Sequence, residues 1–164
     1  MYKEKNYNIW YKLSMLFLIV AVLIHITGYF TNILYIAAWI LWMPVIALAV
    51  ITVFDIKNTD KRERAIIFSK ESMKSITFLI LIIAFIYVIF NLIYGLTLLN
   101  SVWDIRAADG VYYAVDENNN MTEIGYNDYV KYSLASFRML SGHMLVFIAA
   151  PLWYYGEKKK LSKN

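Results

Sequence analysis

No cysteine occurs in the 164 residues, which excludes disulfide exchange, thiolate catalysis and cysteine-ligated metals. Whatever lies outside the apolar runs must hold its shape without a bridge. Carboxylates are missing where transport chemistry would want them. Leu13–Phe30, Ile33–Phe54, Ser75–Leu99 and Tyr132–Tyr155 contain a single formal charge, Arg138, and no acid. A proton-coupled carrier usually shows an intramembrane acid, so that class is disfavoured. There is no HExxH motif, and no Ser-His-Asp arrangement is suggested. Only two histidines occur, His25 and His143, and only two prolines, Pro44 and Pro151. Both prolines fall in apolar runs, where each removes a helical hydrogen bond and bends the helix.

What is present is apolar length. Hydrophobic residues make up 60% of the chain and mean hydropathy is +0.51, beyond the roughly half expected of soluble domains. Each of the four runs is long enough to cross a hydrocarbon core of about 30 Å as a helix. Polar backbone in that core must be satisfied internally, so helices fill these segments. The expected fold is all-α: an antiparallel four-helix transmembrane bundle forming one integral membrane domain, 1–164. Its spans are about 13–30, 33–54, 75–99 and 132–155. The first run has no small-x-small cleavage site and is expected to be retained rather than removed as a signal peptide.

The charges are segregated. Thirteen of the sixteen basic residues lie in residues 1–12, in 55–74 or after span four, including Lys3, Lys5, Lys158 and Lys163. The turn at Thr31-Asn32 has none, and the 100–131 loop has only Arg106 and Lys131 beside six acids. Basic short loops stay cytoplasmic. Both termini and residues 55–74 are therefore expected inside a bacterial cytoplasmic membrane, with 100–131 outside. These basic residues set topology, so nucleic-acid binding is not expected. Abundant Ile, Lys, Asn and Tyr hint at a low-GC bacterial source.

In the outer loop, Val111–Val115 and Met121–Ile124 flank a run of turn formers at Asp116–Asn120, which predicts a small extracytoplasmic β-hairpin between spans three and four. Asn127 is expected to cap the helix that becomes span four. Residues 55–74 are expected to be a solvated or interfacial connector, with Thr59 or Asp60 capping a short helix.

Span four carries the candidate site. At about 100° per residue, Ala135, Gly142 and Ala149 form one stripe of small residues suited to close helix packing. Arg138 and His143 flank that stripe. Phe137, Leu140, Met144 and Ile148 are expected to face lipid. Depth counting brings His25, Asn91, Arg138 and His143 into one polar patch in the outer half of the bundle. The expected structural role of Arg138 is an anchor to a loop carboxylate, with Asp104, Asp109 and Asp128 as candidates. The functional alternative is a site for haem, quinone or lipid. A bis-histidine haem would use His25 and His143 as metal ligands, but their estimated depths differ by more than a helical turn. No cofactor is therefore expected.

Arg138-Met139-Leu140-Ser141-Gly142-His143, an R-x-x-S-G-H pattern after a tyrosine-rich hairpin, resembles uncharacterised four-span membrane proteins of low-GC Gram-positive bacteria. The resemblance covers the last third of the chain. It implies the fold and the membrane location, and no activity. The leading expectation is a non-enzymatic interaction, immunity or accessory subunit. Its partners would be the lipid bilayer and a membrane or extracytoplasmic protein.

Overall fold

A computed structural model of the chain describes residues 2–162, with side chains from Tyr7 onward. The side chains of Lys3 and Lys5, and all of Lys163, lie outside the described residues. The chain is mostly helical, with four helices long and apolar enough to cross a membrane and one small sheet. In chain order these are α1 (Tyr2–Thr27), α2 (Tyr35–Asn58), α3 (Lys61–Ile67), a single 3-10 turn (Ser72–Lys74), α4 (Ile76–Leu99), β1 (Asp104–Ala108), β2 (Val111–Val115), β3 (Met121–Ile124) and α5 (Tyr126–Leu161).

Local chemistry sets several of these boundaries. The Asp60 side chain accepts from the Arg62 N–H at 2.8 Å and starts α3. Ser75 does the same for α4 by accepting from Phe78 N–H at 3.3 Å. Both satisfy amides that a helix start leaves without partners. At the start of α5 the expected Asn127 cap is corrected. Gly125 occupies the cap position with extended backbone, and its carbonyl accepts from Tyr129 N–H. Strand β3 ends at Ile124, so the chain has one residue in which to turn into the helix.

The expected two-stranded hairpin is also corrected. The sheet has three antiparallel strands in the order β1-β2-β3. Ala108 pairs with Val111 across Asp109-Gly110, whose φ values of 52° and 79° are both positive. An Asp-Gly pair with this backbone is the favoured two-residue hairpin turn. The signal was present in the sequence as Ala108-Asp109-Gly110-Val111. The second turn is tied by Asp116, whose carboxylate accepts from the amides of Asn118 and Asn120 and from the Asn120 side chain. Tyr112 of β2 packs on Tyr126 and Tyr129, which fixes the sheet to the first turns of α5.

Helix α5 is the hub. It packs against α1, α4 and α2 along its length; α1 and α2 touch more sparingly, and His25 of α1 reaches Tyr87 of α4. At one end Trp10 stacks on Tyr155, and at the other Gly28 meets Phe137 and Arg138, so α1 runs opposite to α5. Thr77 lies beside Gly156 and Asn91 bonds at Arg138, so α4 does too. Tyr35 packs on Phe137 and Thr59 bonds Tyr154, so α2 runs with α5.

This arrangement overturns the expected lipid-facing surface of α5. Phe137, Met144 and Ile148 are fully buried. A helix-wheel argument assumed one lipid face per helix, whereas three neighbours surround this one. The small-residue stripe is buried as well: Ala135 and Ala149 are at most 1% exposed, and Gly142 is buried. A Cβ on Gly142 would sit 2.6 Å from Asn91 Nδ2, so α4 approaches there only because the side chain is absent.

Candidate functional site

Two polar centres lie at opposite ends of the helical part. The first is at the sheet end. His25, near the end of α1 and 5% exposed, places Nδ1 2.8 Å from Ser141 Oγ and bonds the Tyr87 hydroxyl through Nε2. The Tyr87 and Tyr29 hydroxyls are 2.7 Å apart. Ser141 donates in turn to the Phe137 carbonyl at 2.8 Å. One proton arrangement satisfies every contact. Ser141 gives its proton to Phe137, so His25 Nδ1–H donates to Ser141. Tyr87 then donates to His25 Nε2, and Tyr29 donates to Tyr87.

Asn91 of α4 is 7% exposed and donates Nδ2–H to the Arg138 carbonyl at 2.9 Å. The Arg138 guanidinium lies between two aromatic faces, 4.9 Å from the Tyr29 centroid and 5.5 Å from that of Tyr94. Ion pairs among the described residues join Arg106 to Asp104, Lys158 to Asp55 and Glu63, and Lys160 to Glu157. Arg138 is in none of them. It faces a cavity of about 460 Å³ walled by Tyr29, Tyr87, Phe90, Asn91 and Tyr94.

The expected loop-acid anchor for Arg138 is therefore corrected. Asp104 is held by Arg106 at 3.0 Å, Asp109 lies in the β1–β2 turn and forms no ion pair among the described residues, and Asp128 lies ten residues up α5, a rise of about 15 Å. Of the four residues expected in one patch, His25, Asn91 and Arg138 come together. His143 does not join them. Its Nδ1 lies 2.5 Å from the Met139 carbonyl of its own helix. Tyr29, Tyr87, Tyr94 and Ser141 complete the centre, and sequence reading missed them. Tyrosine is common in this chain, and only the facing of α1 and α4 singles these out.

The second centre was missed outright. Lys158, counted by sequence among the basic residues that set topology, is 2% exposed. Its Nζ is 2.9 Å from Asp55 Oδ2, 2.9 Å from Thr59 Oγ1 and 3.9 Å from Glu63 Oε1. The rings of Tyr7 and Tyr154 lie 4.4 Å and 5.3 Å from it. Tyr154 also bonds Thr59 at 2.8 Å, and Arg64 donates to the Thr59 carbonyl. The end of α5 is thus clamped to the α2–α3 junction by a fully partnered cation. The contrast defines the candidate site: one internal cation has its acids, the other has none.

A third feature, a cavity of about 420 Å³ under the sheet, is lined by Asn32, Trp103, Asp104 and Ser133 among others. It holds no cation. No group of three or more His, Asp or Glu side chains able to hold a metal occurs among the described residues. Compared with known proteins, the chain matches no protein family, no curated protein and no solved structure. The roles of the residues therefore rest on their own geometry.

Proposed function

We propose that the chain is an antiparallel four-span bundle of a bacterial cytoplasmic membrane, with both termini cytosolic and the sheet outside. In this reading it works without catalysis, as an accessory protein that binds an amphiphile through Arg138. The observation that carries the proposal is the Arg138 guanidinium facing an open cavity and forming no ion pair with a carboxylate among the described residues. A guanidinium cannot discharge by losing its proton, and an unpaired charge near hydrocarbon is costly. A ligand oxygen is the missing acceptor.

Charge and length support the orientation. Thirteen basic residues lie in the segments assigned to the cytosol. Arg138 and Lys158 are twenty residues apart on α5, about 30 Å along the axis, so each falls at one boundary of a hydrocarbon core. Haem is the less favoured occupant. Both nitrogens of His25 are engaged by Ser141 and Tyr87, and ligating iron would break that relay.

Native mass spectrometry of protein extracted in mild detergent tests the proposal. The wild type should carry a bound amphiphile that Arg138→Gln loses while remaining folded. An empty wild type, or an Arg138→Gln variant carrying the same adduct, would refute it.

A further inference from the structure

We infer that the Arg138 cavity takes the phosphodiester headgroup of an anionic phospholipid, an inference that rests on the amphiphile reading above. Two of the cavity's walls, Phe90 and Tyr94, are 68% and 55% exposed. On α4, helical spacing continues the flank inward from Phe90 to exposed Ile83, and on α1, which precedes the turn holding Tyr29, Val22 and Ile26 are exposed as well. A headgroup held at Arg138 can therefore leave its acyl chains along surfaces that already face hydrocarbon.

The hydrogen-bond polarity narrows the head chemistry. With Ser141 donating to the Phe137 carbonyl and His25 neutral, Tyr29 and Tyr87 direct their protons along the relay to His25, and Asn91 donates to the Arg138 carbonyl. Arg138 is thus the main free donor, and tyrosine oxygens offer lone pairs around it. The site asks for an acceptor carrying negative charge. A neutral quinone would accept a hydrogen bond and leave the charge uncompensated. Two oxygens of one phosphate match the planar guanidinium fork. A fatty carboxylate has the same fork but brings no glycerol backbone or head alcohol, so it fills less of the 460 Å³ cavity than a phosphodiester head does.

The test uses full-length protein freed of lipid in a neutral detergent, with binding read by native mass spectrometry. The probes are dioleoyl phosphatidylglycerol, dioleoylglycerol, oleate, a decyl-substituted quinone and inorganic phosphate. Phosphatidylglycerol should bind the wild type best. Arg138→Gln should weaken that binding about tenfold or more, the scale of a hydrogen bond to a charged group, and Arg138→Lys should lose less. Equal Arg138-dependent binding of dioleoylglycerol, oleate or quinone would overturn the phosphodiester assignment while leaving the amphiphile reading intact. Saturation by inorganic phosphate alone, without a gain from acyl chains, would overturn the lipid assignment. No Arg138-dependent binding of any probe would overturn both. If Arg138→Gln fails to fold, the wild-type ranking and a headgroup-proximal diazirine phosphatidylglycerol decide. Crosslinks should fall on the 87–94 segment, and crosslinks confined elsewhere would overturn the assignment.

Discussion

Asp55→Ala should destabilise the protein more than Lys158→Met, although both remove the same ion pair. In Asp55→Ala the 2% exposed ammonium of Lys158 loses its closest carboxylate. Removing one partner of a buried pair typically costs 3–5 kcal/mol, because the other charge stays behind in low dielectric. Glu63 at 3.9 Å and Thr59 at 2.9 Å retain part of the solvation, which places the expected cost near the lower limit, about 3 kcal/mol. In Lys158→Met an apolar side chain of similar length takes the place of the ammonium beside the Tyr7 and Tyr154 rings. The carboxylate left over is 29% exposed and can rehydrate, so about 1 kcal/mol is expected. The double variant should cost less than the sum, since no charge is then stranded. Reversible unfolding in mixed micelles, followed by tyrosine and tryptophan fluorescence, gives the three differences. Lys158→Met as damaging as Asp55→Ala, or strictly additive costs, would show that the ammonium is not buried against Asp55.

Gly142→Leu should abolish folded protein, and Gly142→Ala should cost about 1–3 kcal/mol, because even a Cβ would lie 2.6 Å from Asn91 Nδ2. Wild-type stability in Gly142→Leu together with a damaging Leu140→Ala would mean that the faces of α5 are reversed. Asp116 is held below its ordinary value of 3.8 by the Asn120 side chain and by the amides of Asn120 and Asn118. Its folded pKa is depressed, so its contribution to the β2–β3 turn is full above 3.8 and is lost as pH falls through the lower folded value. The Asn118 and Asn120 amide resonances should titrate below 3.8 and cease to titrate in Asp116→Asn; a midpoint above 3.8 would contradict the turn geometry. Finally, Asn119→Cys in this cysteine-free chain should react with an impermeant maleimide on intact cells, and labelling only after permeabilisation would invert the orientation.

The four apolar helices were legible because length and absence of charge, the two things a bilayer-spanning helix requires, are read residue by residue along the chain. Helix existence follows from that alone, and so does the contrast between basic and acidic connections. Asp109-Gly110 shows that the sheet was partly legible too, since a two-residue turn is a local property. The partners of the internal cations were not. Sequence proximity gave Arg138 the acids of the 100–131 loop and gave Lys158 only a part in the basic pattern; the tertiary structure denies the first and finds Lys158 its own acids. Lys158 meets Asp55 across 103 residues, whereas Arg138 is left between Tyr29, in the turn after α1, and Tyr94 of α4. Which side chain reaches which depends on the helices that flank α5 and on their axial register. That register is set by contacts such as Asn91 on Gly142 and Gly28 on Phe137, where packing, not local pattern, decides how far one helix slides along another.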